Sequence, residues 1–148
     1  MPGYTCIEEK ADHARGGTGL LFAIKNNVGL EISDFKSAAT WLSGIVSVHT
    51  TNGDKFELLV TNLHFPSEGI RKKRAISELL DNYKNFNKKF EKHILLGDYN
   101  MDTPTSKKFL IKLGTGFQHE KVTNSTGSRY NKNTVGRMID HLYYAGLS

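Results

Sequence analysis

Four groups of residues in this sequence are of types that handle protons, phosphates or hard cations. They are His64, Asp98 with Asn100, the polar loop around Thr126, and Asp140 followed by His141. A carboxylate such as Asp98 binds a hard cation or orients a water. A neighbouring amide such as Asn100 donates to a phosphate oxygen or accepts from a catalytic group. Two apart in extended chain, Asp98 and Asn100 point to the same side. The competing reading of Gly97-Asp98-Tyr99-Asn100 is an Asx turn that ends a strand. His64 closes the run Leu58–Leu63 just ahead of Phe65-Pro66. A lone histidine is usually structural, but one that ends a core strand before a proline-led loop leaves room for a substrate. Asp140 lies in Met138-Ile139-Asp140-His141-Leu142. There a carboxylate is costly to bury unless paired. Either backbone donors hold it or it has a functional role.

The elements that must position these residues follow from patterning. Gly19–Lys25 reads as a buried strand and Val28–Ile32 as a strand returning after Asn26-Asn27. Trp41–Thr50 and Lys55–Phe65 flank Asn52-Gly53, a strong hairpin signal because both residues tolerate positive φ. Residues 70–91 form the clearest helix, with Ile76, Leu79, Leu80, Tyr83, Phe86 and Phe90 on one face. His93–Gly97 is a short apolar strand. Thr103-Pro104 begins a second helix that Gly114 stops. Glu120–Thr123 and Met138–Ala145 read as strands, residues 1–18 as an irregular lead-in, and Asn124–Gly136 as a polar loop. This irregular alternation, with a hairpin inside it, predicts an α/β (α+β) domain over residues 1–148 with a mixed sheet.

Composition narrows the classes. The chain has 148 residues, 38% hydrophobic and 24% charged, which is globular rather than disordered. A single cysteine, Cys6, excludes an intrachain disulfide framework and favours a reducing compartment. The apolar runs are too short to span a bilayer. The opening Met-Pro-Gly-Tyr does not read as a secretory signal. The net charge is +5. Its excess sits in residues 70–92, where Arg71, Lys72, Lys73, Arg74, Lys84, Lys88, Lys89 and Lys92 face only Glu78, Asp81 and Glu91. A basic segment suits a polyanion such as nucleic acid, while a solvated helix face is the bland alternative.

Taken in order, strand-His-Pro, long helix, apolar-Gly-Asp-x-Asn and apolar-Asp-His-apolar resemble the endonuclease/exonuclease/phosphatase superfamily, the DNase I-like fold. Arg15-Gly16-Gly17-Thr18 with its following strand, and Gly136-Arg137-Met138-Ile139-Asp140-His141, most resemble the endonuclease domain of non-LTR retrotransposon reverse transcriptases. The resemblance implies a four-layer β-sandwich flanked by helices, and Mg²⁺-assisted (or Mn²⁺-assisted) hydrolysis of a DNA phosphodiester. By the same resemblance His64, Asp98, Asn100 and Asp140 are catalytic, and Asp98 and Asp140 are metal candidates. Asn100 and Thr126 would contact phosphate, with Ser125 and Ser128 as rivals to Thr126. Arg71, Lys72, Lys73, Arg74, Arg129 and Arg137 would contact nucleic acid. A nuclear location goes with a retrotransposon enzyme. The family's metal-binding Glu strand and terminal Ser-Asp-His have no match here, since Glu8 and Glu9 stand in no strand-ending Gln-Glu context and His141 adjoins Asp140. The expectation is therefore a domain incomplete at both ends, weak or inactive in hydrolysis alone. The alternatives are a phosphatase or deadenylase of the same fold, and a module that binds nucleic acid without cutting it.

Overall fold

The computed structural model describes residues 2–10, 19–67, 69–85, 92–112, 118–120, 130–131, 134–135 and 140–146. Its centre is a six-stranded sheet in the order β3-β4-β5-β6-β10-β7. The strands are β3 (Leu30–Ala38), β4 (Trp41–His49), β5 (Lys55–His64), β6 (His93–Asp98), β7 (Gln118–Glu120) and β10 (Asp140–Ala145). Every neighbouring pair is antiparallel except β5 and β6, which run parallel. Helix α1 (Gly69–Asn85) makes the crossover between them, as a parallel pair requires. Helix α2 (Thr103–Lys112) follows β6.

One face of the sheet carries both helices. Trp41, Leu63, Leu95 and Tyr143 from the strands pack with Ala75 and Leu79 of α1 and Phe109 and Leu110 of α2. Phe65, Tyr99 and Met101, from the loops after β5 and β6, complete this core. Hydroxyls on this face of the sheet meet one another. The Ser43 and Thr61 hydroxyls lie 2.8 Å apart, and Thr61 meets the Tyr83 hydroxyl at 2.7 Å. At the start of α2, Asp102 accepts from the Thr105 N–H at 2.9 Å, a side-chain cap that precedes the expected Thr103-Pro104 start.

The opposite face is covered by a two-stranded sheet, β1 (Tyr4–Lys10) paired antiparallel with β2 (Gly19–Lys25). The Phe22 ring of β2 lies over Gly44, 3.3 Å from where a Cβ would stand. Asn62 of β5 donates its side-chain N–H to the Leu21 carbonyl at 3.3 Å. Helices, central sheet and covering strands make the helix-flanked sandwich expected. On the covered face Ile94, Leu96, Leu142 and Tyr144 are only half-buried. No helix among the described residues is long and apolar enough to cross a membrane.

Several boundaries differ from the sequence reading. Tyr4–Lys10 is a strand rather than an irregular lead-in, because β2 supplies the apolar side of the ladder and leaves β1 free of strict alternation. β3 runs on to Ala38 as an edge strand, with a bulge between Ile32 and Asp34 that breaks the period of two. The β4–β5 hairpin exists, but its loop covers residues 50–54, and only Gly53 takes positive φ (85°) there. Gly53 N–H reaches the Thr50 carbonyl at 3.1 Å, a longer turn than the two-residue kind. The polar loop expected over Asn124–Gly136 contains a short pairing of β8 (Tyr130–Asn131) with β9 (Thr134–Val135). Residues 86–91 of the expected helix lie outside the described residues.

Tyr99 sits at the middle of the core with no hydrogen-bond partner for its hydroxyl among the described residues. Burial pushes the phenols of Tyr83, Tyr99 and Tyr143 above their ordinary value of 10.0, partly offset at Tyr83 by Thr61 and at Tyr143 by Ser106. A phenol held neutral in the fold stabilises it fully below the unfolded value and loses that contribution as pH rises past it. Unfolding free energy, measured in urea at stepped pH, is therefore expected to fall above roughly pH 10. Tyr99→Phe is expected to raise stability at neutral pH by about 1 kcal/mol, because it removes an unpartnered buried hydroxyl.

Candidate active site at the ends of two parallel strands

β5 and β6 end together. In their parallel register His64 stands opposite Asp98, the last residue of each strand. The His64 ring Nε2 lies 3.7 Å from Asp98 Oδ2, with the side chains 43% and 30% exposed, so solvent and a ligand reach both. The two following loops are laced together. The Phe65 N–H donates to the Asp98 carbonyl at 2.9 Å, and the Asn100 side-chain N–H donates to the Phe65 carbonyl at 2.5 Å. The His64 N–H donates to the Thr40 carbonyl at 2.9 Å, which fixes the strand end to the β3–β4 turn.

Within Gly97-Asp98-Tyr99-Asn100 the Asx-turn reading holds. Asp98 Oδ1 accepts the Asn100 N–H at 2.9 Å, which is an Asx turn, while Oδ2 faces His64. The expected same-side placement in extended chain does not occur. Asn100 takes φ 48°, so the chain turns there, and its amide is drawn to Phe65 instead. Tyr99 between them plunges into the core, its ring 5.3 Å from that of His141 and 6.1 Å from that of Phe65. Gly97 has φ 136°, and a Cβ there would stand 2.0 Å from the Leu63 carbonyl oxygen. The backbone approach expected of this glycine is thus to β5 itself.

Asp140 pairs with Asp98 across the antiparallel β10–β6 ladder. The two acids therefore share one register position although far apart in sequence. His141, next in the strand, is buried and belongs to the core. Its Nε2 donates to the Met101 carbonyl at 2.8 Å, which ties β10 to the turn after Asn100. Glu8 lies on the separate β1–β2 sheet, opposite Leu21. Thr126, its rivals Ser125 and Ser128, and Arg129 and Arg137 lie outside the described residues.

The basic start of α1 is brought to the same end of the sheet. Lys72 Nζ donates to the Asn100 carbonyl at 2.5 Å. Arg71 and Arg74 line a cavity of about 350 Å³ together with His64. Lys73 is exposed and outside that lining. The sequence reading did not find the Lys72 contact, the cavity, or the place in it of Thr40 and Glu78. The only local signal was the i,i+4 spacing of Arg74 and Glu78, whose charged groups lie 4.0 Å apart.

Among the described residues, the Mg²⁺ or Mn²⁺ that the resemblance implies does not find a complete donor set. No three His, Cys, Asp or Glu side chains gather as a cation site among the described residues. Asp98, moreover, already has one oxygen on the Asn100 N–H. What the site offers from the protein itself is a half-exposed carboxylate, an imidazole and nearby cations.

The chain matches no family model and no curated protein by sequence. Its likeness to solved structures covers nearly all of it. It superposes on the catalytic domain of Xenopus laevis APE2 with a TM-score of 0.74 at 12% identity, over 98% of this chain and 67% of that one. The endonuclease domain of TRAS1, a telomere-specific non-LTR retrotransposon, gives 0.66 at 11% identity, over 98% and 68%. An endonuclease/exonuclease/phosphatase family protein from Bacteroides thetaiotaomicron gives 0.65 at 17% identity, over 98% and 60%. The chain therefore shares the fold of these structures, one of them an endonuclease/exonuclease/phosphatase family protein, and it spans 60%, 61% and 64% of the length of three structures it resembles.

Because the strand ends meet through Gly97, Gly97→Ala is expected to cost about 3 kcal/mol or more, from positive φ and the clash with Leu63 together. Urea unfolding measures this.

Proposed function

We propose that the chain carries the site of a phosphodiester hydrolase of endonuclease type, with DNA as its polyanion. The observation that carries this reading is the Lys72 contact to the Asn100 carbonyl, which fixes the basic start of α1 beside Asp98 and His64. A phosphate drawn to Arg71, Lys72, Lys73 and Arg74 arrives next to a carboxylate able to orient a water and an imidazole able to serve the oxygens. Asp98 Oδ2 is the proposed water-holding atom, since Oδ1 is occupied by the Asn100 N–H. His64 Nε2, 3.7 Å away, would contact a phosphoryl or leaving oxygen. Asn100 acts here as a positioning residue, because its side-chain N–H is directed to Phe65. Asp140 at the adjoining register position would add negative charge on the same ladder. A telomere-specific retrotransposon endonuclease domain among the structures it resembles supports the DNA reading, while a mannosyl-6-phosphatase and a 2′,3′-cyclic phosphatase share the fold. A nuclear working place goes with a DNA substrate.

A second reading, a module that grips DNA without cutting it, is favoured by one observation. No cation cluster is present among the described residues. One experiment separates the two. Supercoiled plasmid is incubated with the chain and with Asp98→Ala, in Mg²⁺, in Mn²⁺ and in EDTA. The hydrolase reading expects nicking that falls by about 10²–10⁴-fold in Asp98→Ala. Binding without nicking under all three conditions supports the second reading instead. Either way, affinity for duplex DNA is expected to fall steeply with salt, and Arg71→Ala is expected to reduce the slope of log affinity against log salt by about 1.

A further inference from the structure

Beside the strand ends lies the cavity that His64 borders. It opens between the β3–β4 turn and the first three turns of α1, and its volume is about 350 Å³. That is within the range of pockets that seat small organic groups. Ala39 and Pro66 give it apolar walls, Arg71 and Arg74 a basic rim, and Glu78 an acceptor. Both guanidinium groups present planar, forked donors, the geometry that suits phosphate and also stacks on aromatic faces. Glu78 stands 4.0 Å from Arg74, and a carboxylate in that place accepts from ring or exocyclic N–H groups. Thr40 lines the same cavity, and its buried hydroxyl has no hydrogen-bond partner among the described residues. A solvated helix face would explain the arginines alone. It does not explain an apolar-walled hollow between them and His64.

The geometry points to a nucleotide subsite. The cavity takes the nucleoside unit next to the phosphate held beside His64 by the basic start of α1, with its base against Ala39 and Pro66 and its sugar-phosphate side toward Arg71 and Arg74. This rests on the reading of His64 and Asp98 as a phosphodiester site and adds a contact to the base. Because His64 belongs to both, a base in the cavity and a phosphate beside His64 are held at one fixed spacing. Arg71 and Arg74 are then substrate-positioning residues rather than general attractors of DNA.

The test uses the whole chain and three probes. They are a thymidine dinucleotide with one internal phosphate and two analogues of it, each lacking the base on one side. Affinities come from titration calorimetry or ligand-observed NMR at low salt. The expected result is at least a tenfold loss for one analogue and less than a twofold change for the other. Ala39→Phe, which fills the cavity from the exposed β3–β4 turn, is expected to bind the intact dinucleotide only as weakly as the affected analogue. Arg74→Gln, at a side chain 84% exposed and so harmless to the fold, is expected to lose at least threefold on the intact dinucleotide. It decides the matter should Ala39→Phe not fold. Equal binding of all three probes, with His64→Ala still weakening them, overturns the subsite and leaves the phosphate site standing. Binding indifferent to Lys72→Ala and His64→Ala overturns both.

Discussion

Two adjacent strands of the central sheet run the same way and stop at the same level, and the site depends on that. Parallel neighbours need a long crossover, and α1 is that crossover. It returns the chain so that Asp98 ends beside His64, and its own basic start lies at the same edge. The strand ends can come this close only because Gly97 has no Cβ to meet the Leu63 carbonyl. Tyr99 then anchors the turn from below, packed among Phe65, Phe109, His141 and Tyr143. Polar groups above and aromatic rings beneath make one rigid unit. Placing functional groups on strand ends held from the core limits their drift, which positioned catalysis requires.

The electrostatics follow from the same geometry. A net charge of +5 spread evenly would say little about a partner. Here the excess is concentrated on and around α1, and Lys72 fixes the helix to the Asp98 turn. Exposed ion pairs such as Arg74–Glu78 contribute little to stability. Under the proposed function it is the basic excess around such pairs that a polyanion meets at the sheet edge. His141 shows the opposite use of a histidine. Buried, and donating to the Met101 carbonyl, it holds β10 against the turn and takes no part in the exposed chemistry.

Much of this was legible in the sequence, because the signals were local. His64 and Asp98 each end an apolar run, and the spacing of Ile76, Leu79 and Tyr83 marked the helix between them. Residues whose role depends on the sheet order were not legible. Lys72 meets Asn100 from 28 residues away, a contact that exists only once the crossover is closed. The pairing of Asp140 with Asp98 likewise needs β10 to lie beside β6. The placement of Asn100 was misjudged because extended geometry was assumed through a turn where φ is 48°. β1 was missed because half of its pattern is supplied by its partner strand. Thr126, Arg129 and Arg137 lie outside the described residues, and their assigned roles remain with the resemblance.

The central claim is that the two strand ends and the start of α1 form one ligand-binding surface. Backbone amide NMR during titration with a short DNA duplex tests it most directly. The account predicts that the largest shift changes cluster at His64, Phe65, Asp98 and Asn100 and over Arg71–Arg74, and that they saturate together with one affinity. Changes centred on the β1–β2 hairpin, or spread along α1 with the strand ends unmoved, would contradict it.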